Sequence, residues 1–281
     1  MLVGLALCIV LILAVPMSVW ISAQWLTVSS WKVELGLDGG SVRLAVLGDL
    51  HDHQFGTDNE TLVEQIRGQK PDLILLDGDM LNADSPSDQV PVTLIEQLVS
   101  VAPVYYALGN HEIAYMDRGH GELITNLEEA GAVVLEQSYA DLEINGVDLR
   151  LGGMYEYAFG LNGNNDAAAA PDDVKAFLTE FQDTHRTKVM MAHRPDSFIF
   201  GDASQVWDID LVVSAHLHGG QVVLPFLGGV YGGDQGWFPQ YVHGLYPCGD
   251  MQLFVTSGLG TSRETLPRWN NRPEIAVLEL S

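Results

Sequence analysis

The run VVSAHLHGGQ at 212–221 closes an apolar, strand-like stretch with two histidines one residue apart, followed by two glycines. At i and i+2 on an extended chain the two imidazoles fall on one side, and a glycine pair lets the backbone turn sharply beside them. Four other strand-like runs end in comparable residues: Gly48, Asp49 and His51 after RLAVL, Gly78 and Asp79 after LILLD, Gly109, Asn110, His111 and Glu112 after VYYAL, and His193 after KVMMA. Taken singly, Asp49 or Asp79 suits a helix cap, Asn110 a turn, and His193 a hydrogen-bonded strand end. Together they offer carboxylate oxygens, imidazole nitrogens and one amide oxygen, the donor mixture that Mn²⁺, Fe²⁺ or Zn²⁺ accepts, and the absence of a thiolate disfavours a closed structural zinc site. Asp49, His51, Asp79, Asn110, His193, His216 and His218 are too many ligands for one ion; they suit two divalent ions with a shared carboxylate as bridge.

These residues converge only if the strands that carry them are neighbours in a parallel sheet with its ligands at the carboxyl ends. The pattern supports that. Strands are expected at 41–49, 71–79 and 103–110, with helices at 57–69, capped by Thr57 or Asp58, and at 91–100, with Pro91 near its first turn. This is a βαβαβ series. A further helix is expected at 118–130, then Gly131 and a strand, a hairpin around Asn145-Gly146 within 141–154, and a low-complexity loop at 161–171. A helix at 172–182, strands at 188–193 and 209–216, and the strand-like QVVLP, MQLFVTSG and EIAVLEL complete the chain.

The first 31 of 281 residues carry no charged side chain and are apolar over a length that spans a bilayer, with Pro16 as a tolerated kink and Trp20, Trp25 and Trp31 suited to the interfacial belt. No basic start precedes them, which argues against a cleaved signal peptide; a buried core helix is the other alternative. The division expected is an N-terminal transmembrane anchor at 1–31 and a catalytic domain at 32–281, on a single-pass protein of the cell membrane. Lys32 and Arg43 follow the segment and weakly favour a cytoplasmic domain. With 37 acidic and 13 basic side chains the formal charge is −24, which argues against binding nucleic acid through its phosphates. The same field would repel an anionic substrate unless bound cations reverse it locally. Cys8 and Cys248 give no disulfide framework.

The series Asp49-x-His51, Gly78-Asp79, Gly109-Asn110-His111-Glu112, His193 and His216-x-His218 resembles the five-block signature of the calcineurin-like metallophosphoesterases. HLHGGQVVLPFLGG, SGLGTS and NRPEIAVLEL narrow the resemblance to the bacterial membrane-associated subgroup similar to YkuE and YaeI, over roughly residues 30 to 281. The resemblance implies an α/β fold, a four-layer α/β/β/α metallophosphoesterase sandwich behind the N-terminal membrane helix. It implies that Asp49, His51, Asp79 and His218 hold one ion, and Asp79, Asn110, His193 and His216 the other. His111 would contact the phosphoryl oxygen or protonate the leaving group. Two adjacent ions can generate a nucleophile from water and neutralise the phosphoryl oxygens in an in-line displacement.

Two positions depart from the pattern: Asn82 stands where a second aspartate is usual, leaving the support of the ligands in doubt, and Ala215 where a glycine is usual. The expected function is hydrolysis of phosphodiester or pyrophosphate bonds in a lipid- or nucleotide-linked envelope substrate, as in enzymes of the UDP-2,3-diacylglucosamine hydrolase type. Manganese chemistry and lipid metabolism fit that reading, and the resemblance leans toward an extracytoplasmic domain. A phosphomonoesterase or a metal-binding envelope scaffold without turnover are the alternatives, and a metal-dependent peptidase is disfavoured by the lack of an HExxH helix. Arg194 and Arg263 are the substrate-binding candidates, with Arg268 and Arg272 as further phosphate-gripping side chains. The aromatic, glycine-rich stretch from Phe226 to Tyr246 is a candidate apolar wall for a lipid or sugar portion.

Overall fold

Once extended, the apolar runs present alternate side chains to two faces, and both faces are covered. A computed structural model describes residues 16–154, 167, 170–200, 203–262 and 266–281. The first sheet has the order β1-β14-β2-β3-β4-β5, formed by β1 (Thr27–Val33), β2 (Val42–Leu47), β3 (Leu73–Asp77), β4 (Val104–Ala107), β5 (Val133–Val134) and β14 (Glu274–Leu280). The second has the order β12-β13-β9-β8-β7-β6, formed by β6 (Ser138–Ile144), β7 (Val147–Met154), β8 (Thr187–Ala192), β9 (Leu211–Ser214), β12 (Gly244–Cys248) and β13 (Met251–Val255). β2, β3, β4 and β5 are parallel, as are β7, β8, β9 and β13.

Val42, Leu44 and Val46 of β2, Leu73 and Leu75 of β3, and Val189, Met191, Leu211 and Val213 of β8 and β9 meet in one buried cluster between the sheets. The intervening Ala45, Leu47, Ile74 and Leu76 pack outward under α2 (Glu60–Gln69), α3 (Gln89–Leu98), α4 (Asn110–Asp117) and α5 (Leu123–Glu129). Met190, Ala192 and Val212 pack outward with Val174, Leu178 and Phe181 of α6 (Asp172–Gln182). Two short helices, α7 (Asp196–Ile199) and α8 (Ala203–Val206), join that outer layer. Period-2 alternation over strands covered on both faces thus gives helix, sheet, sheet and helix layers.

The hairpin forms around Asn145-Gly146 with both residues at positive φ, 54° and 81°, as a two-residue turn requires. Other boundaries differ from expectation. Residues Thr57–Asn59 form a 3₁₀ turn, and Asn59 rather than Thr57 or Asp58 precedes α2; its carboxamide accepts from the Phe55 amide at 2.9 Å instead of capping the helix. Of the expected 118–130 helix only Leu123–Glu129 is helical, as α5; residues 118–122 turn, with Gly119 at φ 107°, after a further helix, α4, over Asn110–Asp117. QVVLP contributes only β10 (Val223–Leu224), paired with β11 (Gly228–Gly229) in a small hairpin. The loop read at 161–171 lies largely outside the described residues.

The segment read as an anchor to residue 31 gives up its end to the sheet. β1 pairs in parallel with β14 from Thr27↔Glu274 to Val33↔Leu280, and Trp31 packs against Phe254 and His243 rather than at a membrane interface. Residues 16–24 are helical, as α1, and residues 1–15 lie outside the described residues. Among the described residues no helix is long and apolar enough to cross a membrane.

Leu75, fully buried in the central β3, sits between the sheets. Leu75→Ala is expected to lower the free energy of unfolding by about 3 kcal/mol, against less than about 0.5 kcal/mol for Glu64→Ala on the exposed side of α2, both read from denaturant titrations.

Candidate metal centre

Each strand that carries a candidate ligand stops just short of it, and the ligand turns the chain. Asp49, His51, Asp79, His216 and His218 have φ of 52°, 49°, 54°, 70° and 47°. The left-handed region costs a non-glycine residue on the order of 1 kcal/mol or more. Five such residues, three after strands of the first sheet and two after β9 of the second, mark a place where packing overrides backbone preference. The close approach depends on glycine: a Cβ on Gly78, itself at φ 73°, would lie 2.6 Å from the Gly109 amide nitrogen and 2.7 Å from His193 Nδ1, and one on Gly258 would lie 2.6 Å from Asp49 Oδ2.

The side chains from both sheets then meet. Asp79 Oδ1 accepts from the His111 amide at 2.8 Å, and its Oδ2 lies 3.2 Å from His193 Nε2, 3.8 Å from His51 Nε2 and 3.9 Å from His111 Nε2. Asp49 Oδ1 accepts from the His216 amide at 3.1 Å and lies 3.8 Å from His193 Nε2, while Oδ2 lies 3.8 Å from His218 Nδ1. Three overlapping groups have ligand atoms within 4.8 Å of one another: Asp49, His51 and His218; His51, Asp79 and His111; Asp79, His193 and His216. Asp49 Oδ2, both ring nitrogens of His51 and Asn110 Oδ1 are buried without a hydrogen-bond partner. Buried polar atoms without partners are costly, and divalent cations would satisfy the Asp49 and Asn110 oxygens together with the unprotonated nitrogen of His51. The donor set therefore fits divalent metal.

The protonation pattern agrees with that fit at three of the four candidate histidine ligands, while in metal-free protein His193 holds a proton that a metal ion would have to displace. Burial pushes His51 and His218 down to about 3 and His216 well below its ordinary value, so these rings are neutral and present lone pairs. Burial also acts against the His193 imidazolium, but the adjoining Asp79 carboxylate, with Asp49 and Asp77, outweighs it and raises the ring to about 10. Burial favours the neutral acid of Asp79, yet His193 and His51 hold that carboxyl well below the usual range. His193 Nδ1 faces the Asp77 carbonyl at 2.7 Å, which assigns the proton of its neutral ring to Nδ1 and turns Nε2 toward the cluster. At His111 the Ala83 amide donates to Nδ1 at 3.0 Å, so the neutral ring carries its proton on Nε2, toward Asp79.

Glu112 is the supporting residue that the sequence did not reveal in this role. Fully buried at the third position of α4, it accepts from the Asp79 amide at 2.8 Å, the Met80 amide at 2.8 Å, the Gly109 amide at 2.9 Å and the Tyr106 hydroxyl at 2.6 Å. One carboxylate thus ties the loop after β3 to the loop after β4; the glutamate three residues past the turn glycine was the visible signal of such a cap. Asn82 supports the site directly: its Nδ2 donates to the His51 carbonyl at 3.0 Å and to Asp52 Oδ2 at 2.7 Å, bonds that an aspartate could not donate.

The arginines divide. Arg268 is buried and donates to the carbonyls of Ser257 at 2.8 Å, Gly260 at 3.1 Å and Arg272 at 3.0 Å, so it braces the 257–260 turn rather than offering itself to a phosphate. Arg272 lies over the Trp25 ring at 5.2 Å. Arg194 is buried near the cluster, where its charge bears on His216 and Asp196. Arg263 lies outside the described residues. Of the aromatic stretch, Phe226, Trp237 and Phe238 are exposed, Tyr231 and Trp237 meet edge to face, and the backbone at Gly233 approaches the His216 ring.

A family model described as calcineurin-like phosphoesterase matches residues 42–220, more than half of the chain. The uncharacterized metallophosphoesterase YkuE of Bacillus subtilis (strain 168) is 26% identical over 263 residues, covering 90% of this chain and 83% of the relative. The phosphodiesterase YaeI of Escherichia coli (strain K12) is 29% identical over 219 residues, covering 75% and 71%. A crystal structure of a 5'-nucleotidase precursor from Thermus thermophilus aligns with a TM-score of 0.49 and 15% identity over 79% of this chain, which spans only 50% of that one.

Two outcomes follow from the geometry. Glu112→Ala strands three buried amides and is expected to weaken divalent-metal binding about 10- to 100-fold by calorimetry, with a loss of about 3 kcal/mol in unfolding free energy. In metal-free protein, His193 at about 10 and Asp77, which burial pushes up to about 8, are both raised. A raised group contributes stability below its unfolded value and loses it as pH rises through its folded value. The melting temperature of chelator-treated protein should therefore fall between pH 7 and pH 10, with a smaller fall after metal is restored; a flat profile without metal would contradict this arrangement of charges.

Proposed function

The chain belongs to the calcineurin-like phosphoesterase family, and on that premise we propose that it is a two-metal hydrolase of phosphodiester or pyrophosphate bonds acting on a lipid- or nucleotide-linked envelope substrate. The observation that carries the two-metal reading is the position of Asp79 Oδ2, within 3.9 Å of His193, His51 and His111 and so between two sets of ligands. Asp49, His51, Asp79 and His218 would hold one ion, and Asp79, Asn110, His193 and His216 the other. When bound, the ions would supply the positive charge that a phosphoester needs against this protein's negative field, together with an activated water.

The chain's own groups do the rest. His111, held by the Ala83 amide with its proton on Nε2, donates that hydrogen bond to a phosphoryl oxygen or to the departing oxygen. Glu112 and Asn82 keep the two ligand-bearing loops from relaxing out of their left-handed turns. Arg194 offers a second positive charge beside His216, suited to a second phosphate. The uncharged N-terminal residues anchor the chain in the cell membrane with the domain on the extracytoplasmic side. Cleavage of a diester is favoured by the likeness to a relative named a phosphodiesterase, and an acylated sugar nucleotide of the UDP-2,3-diacylglucosamine type is the specific substrate suggested.

The test is hydrolysis of bis-p-nitrophenyl phosphate by the full chain, stripped of metal and resupplied with Mn²⁺. Turnover should need metal, vanish in Asp79→Asn, and fall about 10²- to 10³-fold in kcat for His111→Ala. Activity confined to p-nitrophenyl phosphate would make the protein a monoesterase. Two bound ions with no turnover of either ester would leave the scaffold.

A further inference from the structure

The strand directions fix where the N-terminal segment enters the fold. β1 runs parallel to β14, and β14 runs antiparallel to β2. The carboxyl end of β2 leads into Asp49, so the start of β1, reached through α1, lies at the same sheet end as the metal ligands. Residues 1–15, MLVGLALCIVLILAV, contain only apolar side chains and Cys8, and they lead into that end.

The surface there is apolar in two places. Trp20 and Trp25 are 61% and 58% exposed and border a cavity of about 380 Å³ lined also by Leu26 and Phe55, four residues past His51. The tip of the β10–β11 hairpin is Pro225-Phe226-Leu227, with Phe226 fully exposed at φ 69° and Leu227 67% exposed. The hairpin follows directly on His218–Gly220. Its base bridges Val222 to Trp269, and four residues later the Pro273 carbonyl accepts from the Thr27 amide at 2.8 Å. Four residues span at most about 14 Å, so the base of this hairpin lies near the start of β1, which follows directly on Trp25 and Leu26. Between them, Asn271 Nδ2 donates to the carbonyls of His218 at 2.6 Å and Gln221 at 3.1 Å.

We propose that this end docks on a lipid bilayer, with Phe226 and Leu227 inserted and Trp20 and Trp25 at the headgroup level, so that the metal centre opens onto phosphoesters held in the membrane surface. The inference rests on the reading of the N-terminal residues as an anchor. Exposed aromatic and aliphatic side chains of this kind are what a membrane interface buries. The formal charge of −24 removes attraction to anionic lipid as the driving term, so insertion of apolar tips must supply the contact. A left-handed aromatic residue in water at a hairpin tip has no packing within the fold to stabilise it.

The experiment uses the full chain with Cys8→Ser and Cys248→Ser, bound to phosphatidylcholine vesicles. It carries a nitrobenzoxadiazole label at Phe226→Cys or, as control, at Glu128→Cys on α5, whose chain runs back toward the opposite sheet end. Emission from position 226 should shift to the blue, rise several-fold and be quenched by doxyl-labelled lipid, while position 128 reports water. Amide exchange over 223–229 in the unsubstituted chain, slowed by vesicles, is the check that needs no substitution. Water-like emission and unchanged exchange at the tip, on protein that sediments with vesicles, overturn the docking and leave the anchor standing. Protein that does not sediment with vesicles overturns the anchor reading, and the docking with it.

Discussion

A carboxylate that is fully buried must be shared. Asp79 has no water to solvate it, so its charge is divided among the His111 amide on one oxygen and the imidazoles of His193 and His51 around the other. That requirement draws the loops after β3, β4 and β8 to one point, and the same logic at Asp49 draws in the loops after β2 and β9. Left-handed backbone at five candidate ligands and the glycines pressed against them are consequences of crowding so many polar groups into one dry place. The supports are polar too: Glu112 spends both oxygens on amides and a hydroxyl, and Arg268 spends its guanidinium on carbonyls.

Much of this was legible as residue order because the fold is local in sequence. The βαβαβ series follows from apolar runs separated by amphipathic helices, and the Asn145-Gly146 turn from the only backbone such a dipeptide favours. Parallel neighbours deliver Asp49, His51, Asp79 and His111 to one end of the first sheet and His193, His216 and His218 to one end of the second, while the meeting of the two sets depends on how the sheets pack. What escaped the sequence is what depends on distant partners. TVSSWKV, half polar and directly after an apolar run, becomes a strand only because EIAVLEL supplies its ladder 247 positions later at Thr27↔Glu274. Glu112 looks like an ordinary helix-start glutamate until the loop after β3 is laid across it, and Arg268 looks like a phosphate grip until its carbonyls are counted. Gly119 and Gly121 were the visible signal that the helix starts only at Leu123, and the chain turns there between α4 and α5.

The opposition between the protein's charge and that of a phosphoester shapes the rest of the surface. A molecule with 24 excess negative charges cannot collect anions by long-range attraction. Positive charge at the cluster would come instead from Arg194, buried beside His216, and from the divalent ions. Selectivity then rests on what can reach the cluster rather than on what is drawn toward the protein from afar.

The pairing of β1 with β14 joins a strand near the start of the chain to the strand at its end. Until Glu274–Leu280 is in place, β2 presents an open edge and Thr27–Val33, next to the N-terminal segment, has no ladder partner. Because the register runs from Thr27↔Glu274 to Val33↔Leu280, loss of residues 278–280 would free Trp31–Val33 while Thr27–Ser30 stayed paired, so the ladder frays from the end away from the metal ligands and holds where the N-terminal segment is attached.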